Sequence, residues 1–295
     1  MVRGKMLAVV LVLVGLLAVG AVGCEVEEDL GAEEVSTHYD GARIGLVVPD
    51  YVEVNSIEEL NDYADDFNEE IVGIDPGAGV MSTTEDAIME YDLELDLAEG
   101  SDAAMTAELD DAIANEEPIV VTGWTPHWKF AEWDLKFLED PQDVYGDAER
   151  IANVARLGLA EDLPEVYEFL ENFYWGDEEI GEVMEINAED DSDLLGNAQA
   201  WVADNQDLVE GWLPEGFGEE AEGQELSIAY VEWDCATAST HVAQAVLEDA
   251  GYDVSISAVD AGPMWSAVAE GDVDFISCAW LPVTHESYWQ EYGVE

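Results

Sequence analysis

The sequence predicts an α/β fold built on doubly wound, mostly parallel sheets, and three observations carry that expectation. Short apolar, β-branched runs alternate with helical ones along most of the 295 residues, the order that lays helices on the faces of a parallel sheet. Hydrophobic residues make up 48% of the chain, so a large core is affordable despite the charge. The length suits one large domain or two of medium size.

The strand-like runs are residues 43–49 (RIGLVVP), 71–74 (IVGI), 118–122 (PIVVT), 226–232 (LSIAYVE), 252–259 (YDVSISAV) and 273–279 (VDFISCA). Helical segments separate them. "SIEELNDYADDF" opens on Ser56 and Glu59 at capping-box spacing. "DAAMTAELDDAIA", "DLPEVYEFLENF", "NAQAWVADNQDLVEGW" and "ATASTHVAQAVLEDA" repeat apolar residues at helical spacing. The acidic, glycine-rich "LPEGFGEEAEGQE" (213–225) reads as a surface linker.

The N-terminus reads "MVRGKMLAVVLVLVGLLAVGAVGC". Arg3 and Lys5 precede an apolar run, and small residues precede Cys24, which describes a secretion signal over residues 1–23. A cysteine directly after the small residues resembles a lipobox, with Cys24 the lipidated residue. An uncleaved membrane anchor is the alternative, and either way the remainder lies outside the cytoplasmic membrane. Residues 24–40, acidic and without apolar periodicity, are expected to be a tether.

Acidic residues number 71 against 7 basic ones. Such a chain repels phosphate backbones, which excludes nucleic acid as a partner. Its 10 Trp, 11 Tyr and 7 Phe in periodic segments argue against disorder. Mutual repulsion of this size suits a medium of molar salt, where charge is screened within about 3 Å, as in a halophile.

Catalytic chemistry finds little support, and the chain is not expected to be an enzyme. The three Cys and four His show no metal-ligand spacing, and no cofactor motif is present. "STH" (239–241) lies inside an amphipathic helix, and "EDDSD" (189–193) reads as a solvated face. Cys235 and Cys278 either pair or remain free; the strand-interior place of Cys278 favours two buried thiols. "DPGAG" (75–79) follows a strand and opens a helix whose first amides could hold an anion, or it is a plain turn.

Three tryptophans close strand-like runs: Trp124 in "TGWTPHW", Trp233 in "AYVEWD" and Trp280 in "CAWLPVTH". The C-terminal ends of parallel strands are where α/β proteins bind ligands. Converging indole faces attract cations, and a quaternary ammonium suits them because it needs no hydrogen-bond partner.

"IVGIDPGAGVMSTTEDAIMEYDL", "PIVVTGWTPHWKF", "DLKFLEDPQDVYGDAERI", "AYVEWDCATAST" and "VDAGPMWSAVAEGDVDFISCAWLPVTHESYW" resemble the glycine betaine-binding proteins of osmoprotectant ABC importers, from about residue 41 onward. The resemblance implies a two-lobed, periplasmic-binding-protein-like (type II) fold with the ligand in the cleft between lobes. It implies a cage of Trp124, Trp233 and Trp280 for the trimethylammonium group. The carboxylate would be held by the Gly79 and Val80 amides and by His285, with His127 structural. The partners implied are a betaine, an ABC permease and, through the lipid anchor, the membrane; choline, carnitine or proline betaine are rival ligands.

One feature departs from the family. "GLVVP…VNSIEEL" follows the "WLPVTH" segment in the relatives and precedes it here, so the order reads as circularly permuted, which domains with neighbouring termini tolerate. The expected division is residues 41–50 with 149–295 as one lobe and 51–148 as the other.

Removal of Arg3 and Lys5 with the leader leaves five basic residues against 71 acidic ones. Thermal unfolding followed by circular dichroism should therefore show the melting temperature rising from low to molar KCl; a flat or falling trend contradicts the high-salt reading.

Overall fold

The computed structural model describes residues 30–219 and 221–294; the leader and Cys24 lie outside them. The sheet has nine strands: β1 (Ala32–Pro49), β2 (Glu70–Val72), β3 (Asp96–Ala98), β4 (Val121–Thr125), β5 (Leu135–Phe137), β6 (Glu149–Arg156), β7 (Glu225–Tyr230), β8 (Asp253–Ala258) and β9 (Phe275–Leu281). The helices are α1 (Gly79–Glu90), α2 (Asp102–Asn115), α3 (Lys129–Glu132), α4 (Leu159–Asp162), α5 (Pro164–Asn172), α6 (Asp177–Glu189), α7 (Leu194–Asp204), α8 (Gln206–Val209), α9 (Asp234–Ala250), α10 (Ala261–Glu270) and α11 (Glu286–Tyr292). Among the described residues no helix is long and apolar enough to cross a membrane.

Strand order is β3-β2-β4-β1-β6-β9-β7-β8, with β5 also paired to β1. The outer ladders are parallel: β2 with β3 and β4, and β7 with β8 and β9. Antiparallel ladders all involve β1 or β6, the strands that link the two halves. The doubly wound βα units expected from the sequence thus form two lobes, joined by a central antiparallel pair.

Strand β1 corrects two boundaries. The expected tether of residues 24–40 overlaps it, because Ala32–Ala42 pairs with β6 from Arg156 back to Glu149. That ladder has register shifts at Glu34/Ser36, Thr37/Tyr39 and Asp40/Ala42, and such bulges destroy the period-2 alternation that marks a strand in sequence. Its acidic residues disguise it too: Glu34 forms a two-pronged ion pair with Arg150, at 2.7 and 2.8 Å. The second correction concerns residues 41–50. Ala42 pairs with Glu149, but Arg43 pairs with Thr125 and Val47 with Phe137. One strand therefore passes from one lobe to the other at Ala42–Arg43, and residues 43–49 belong with the lobe assigned to 51–148.

Other elements follow local chemistry. Ser56 caps the helix of Ile57–Phe67 by accepting from the Glu58 amide at 3.4 Å; this helix is 3-10 rather than α, and Glu59 reaches back to the Asn55 amide. The 213–225 stretch is a packed loop and not a free linker. Phe217 lies 5.7 Å from Phe169, Ala221 is buried, and the Gly218 amide donates to Glu165 at 3.0 Å. The larger lobe is centred on aromatic packing of Phe173 against Trp212 at 4.8 Å and Trp175 at 5.4 Å. His38 stacks on Phe173, with Nδ1 3.2 Å from Asn153 Oδ1.

Candidate ligand-binding site

The three tryptophans arrive at one place by different routes. Trp124 is the penultimate described residue of β4, and Trp280 occupies the same position in β9. Trp233 lies three residues past β7 and serves as the N-cap of α9, so it stands beyond its strand rather than at its tip. All three are buried. They line, with Ile44, Ile74, Ala78, Val80 and Thr284, a tight cavity of about 10 Å³. Trp124 and Trp233 face each other at 6.5 Å, inclined by 53°. Trp233 is anchored by its Nε1–H, which donates to Asp75 across the lobes at 3.1 Å; burial, chiefly, raises the pKa of that carboxyl.

The lobes are closed over this cavity. Tyr288 donates to the Gly77 carbonyl at 3.0 Å, and the Asp234 amide donates to Asp102 at 3.3 Å. The tightest approach is at Gly79, where a Cβ would stand 2.1 Å from the Thr284 carbonyl oxygen. Gly79 and Val80 are the first two residues of α1, so their N–H groups have no acceptor inside the helix and lie at its positive end.

His285 stands on the opposing lobe, fully buried as N-cap of α11. Its Nδ1 accepts from the Trp280 amide at 3.1 Å and from Trp265 Nε1 at 3.4 Å. Two donors on Nδ1 fix the tautomer, placing the proton on Nε2. Burial holds the imidazole pKa down at about 3, so the ring is neutral. Nε2–H is buried and without a hydrogen-bond partner among the described residues, and the ring lies 5.8 Å from Trp233. A buried orphan donor is costly unless something accepts from it. Glu149, at the start of β6, secures the loop that presents these groups: its carboxylate accepts from the Val283 and Thr284 amides at 2.7 and 2.8 Å and from the Thr284 hydroxyl.

Sequence reasoning missed a second cluster beside Trp124. His127 Nδ1 accepts from the Lys129 amide, so Nε2 carries the ring proton, 3.1 Å from Asp102 and 3.2 Å from Asp234. Asp234 belongs to the other lobe, so His127, read from sequence as structural, bridges the closed interface. Burial lowers the His127 pKa to about 4. Burial also pushes Asp102 upward, but His127 and Lys129 outweigh it and hold that carboxyl below its ordinary value. Asp234 is pushed up to about 7 by burial and by Asp102. The three side chains lie within 4.8 Å of one another, but the hydrogen bond from Nε2 and the neighbouring Lys129 ammonium speak for a latch rather than a metal centre. Cys235 and Cys278 are free and buried, and burial pushes the Cys278 thiol up to about 12.

A pair of α/β lobes closed on an aromatic cavity is the arrangement of a solute-binding protein. The chain belongs to the family described as the substrate binding domain of the ABC-type glycine betaine transport system, which matches residues 18–204 and 224–295. It is 44% identical to the glycine betaine/carnitine transport binding protein GbuC of Listeria monocytogenes, over 78% of this chain and 77% of that one. Among solved structures it is similar to the glycine betaine/L-proline-binding protein ProX of Borrelia burgdorferi (37% identity, TM-score 0.61, 63% of this chain and 71% of that one). It is also similar to lactococcal OpuAC closed on glycine betaine (38%, TM-score 0.58, 62% and 71%). An ABC-transporter choline-binding protein with choline matches at 27% identity and TM-score 0.57, over 62% and 66%.

Gly79→Ala should separate folding from closure. Alanine suits the first turn of a helix, so urea unfolding of the ligand-free protein should be unchanged. In the closed form overpacking costs about 1–3 kcal/mol, which weakens ligand binding about five- to 150-fold. Unaltered affinity by titration calorimetry would contradict this.

Stability should also fall in acid. Burial depresses the pKa of His38 to about 4, of His127 to about 4 and of His285 to about 3. The unfolded chain takes up these protons near pH 6.5, so their contribution is complete above that value and is lost as pH falls toward about 4. The raised Asp234 works in the opposite sense over its own range. Urea titrations from pH 7 to 4 should show declining stability, and His38→Gln should flatten the slope by about one proton, or about 1.4 kcal/mol per pH unit.

Proposed function

We propose that the protein is an extracytoplasmic lipoprotein that captures glycine betaine and delivers it to the permease of an ABC importer. The observation that carries the choice of ligand is the pairing of two kinds of site across one closed cavity. Three buried tryptophans attract a quaternary ammonium. Beside them are the first amides of α1 and the orphan Nε2–H of neutral His285, all donors and all suited to a carboxylate. A zwitterion with both charges a short distance apart satisfies both. The family relationship and the ligands for which similar proteins are named, glycine betaine and glycine betaine/carnitine, support this reading.

Choline is the second reading, favoured by the similar choline-binding protein. It would fill the cage but leave the donors without an anion. The permuted order is part of the proposal, supported by the parallel bridge of Ala32 to Gly293, which brings the two ends of the described chain together.

Titration calorimetry in high salt against glycine betaine, proline betaine, carnitine and choline should rank glycine betaine first, in the micromolar range, and choline far below. Trp280→Ala should cost about 2 kcal/mol or more, the scale of one desolvated cation–π face. His285→Ala should cost glycine betaine about 1.5–3 kcal/mol, the scale of a charge-assisted hydrogen bond, and barely touch choline. Equal losses for both ligands contradict the anion site. For the anchor, Cys24→Ser should release the protein from membranes, and unchanged mass and retention would sink that part.

A further inference from the structure

Lys129 opens α3 and is fully buried. Burial disfavours an ammonium strongly unless a partner compensates it. Its Nζ has no hydrogen-bond partner among the described residues and lies over the Trp124 ring, 4.2 Å from the centroid. Lys129 does not line the cavity, although Trp124 does. Its ammonium therefore stands outside the cavity, against the ring of one of the lining tryptophans.

We propose that Lys129 is a charge filter for the cage: its ammonium, placed against the Trp124 ring, disfavours a ligand of net positive charge relative to a zwitterion. The inference rests on the betaine reading above. Trp124 offers a negative face on either side, and here one face already holds a cation. A ligand ammonium on the other face is repelled through a site from which water is excluded, where screening is weak. A betaine brings its own carboxylate, whose attraction to Lys129 offsets much of that repulsion. Choline has nothing to set against it. Lys129 acts through Trp124 and the field in the cavity, so it is a positioning and tuning residue.

The neighbours agree in sign. Asp102 on α2, Asp234 and Cys235 on α9, and His127 on the β4–α3 loop surround the ammonium. The carboxylates temper its charge without contacting it as ion pairs. Without Lys129 they remain, and the field at the cage becomes more negative, which draws in a net cation further. Burial lowers the Lys129 pKa to about 8, so the filter is charged at pH 7 and fades above pH 8.

The test is calorimetry with glycine betaine and choline on the wild type, Lys129→Met and Lys129→Gln, in high salt at pH 7. Either uncharged side chain should tighten choline about tenfold while glycine betaine moves by less than about threefold, as the Coulomb difference between a cation and a compact zwitterion requires. Glycine betaine binding doubles as the check that each variant folds and closes. Raising the pH from 7 to 9.5 should narrow the betaine-to-choline ratio of the wild type and leave that of Lys129→Met unchanged, since the neighbouring groups titrate in both. The proposal is overturned if the two ligands shift together, if neither shifts, or if the variant keeps the pH dependence. A wild type that binds no glycine betaine overturns the functional reading instead, and that is read before any variant is made.

Discussion

Closure depends on one approach of backbone to backbone, where α1 meets the loop after β9. Gly79 has no side chain, and the Thr284 carbonyl occupies the space a Cβ would need. Because the contact is this close, the start of α1 stands against the turn that carries the buried His285 ring. Its position in turn depends on Glu149, whose carboxylate accepts from three donors on the 283–284 loop. Glu149 begins β6, the strand beside the crossing point of β1, so the 283–284 loop is braced from the strands that join the lobes.

The closed interface mixes interactions that answer to different conditions. The Trp233–Asp75 and Tyr288–Gly77 hydrogen bonds are local and little affected by salt. The His127 bridge between Asp102 and Asp234 places two carboxylates from opposite lobes on one ring proton. That arrangement is unfavourable when both are charged, and burial first, then Asp102, raises the pKa of Asp234. Lys129 relieves it in part. A protein with 71 carboxylates thus keeps one of its few cations in the interior, against Trp124, where solvent ions do not screen it.

Ligand binding in such a molecule is a shift between open and closed forms, and its size is set by what each form offers the ligand. The apolar wall and the donors are each divided between the lobes: Trp124, Val80 and Gly79 belong to one, Trp233, Trp280 and His285 to the other. Neither lobe holds the complete site. The His285 imidazole is neutral by burial and fixed in tautomer by two donors, so its free N–H is already oriented, and such preorganisation limits the cost of binding.

The sequence by itself determined the βα units and the family, because their signals are local: apolar runs of strand length, helical periodicity, and long motifs around Trp124, Trp233, Trp280 and His285. Those four, with Gly79 and Val80, are brought to one cleft in the structure. What only the tertiary structure decided depends on partners far apart in the chain. The first half of β1 is hidden in sequence by three register shifts and by Glu34, whose partner Arg150 lies 116 residues away. The lobe boundary within that strand is set by a change of partner, from β6 to β4, with no mark in composition. The His127 latch and the place of Lys129 arise the same way. "PHWKF" looks like an ordinary amphipathic turn until α9 of the other lobe closes over it, and only closure removes the water that would make a lysine there unremarkable.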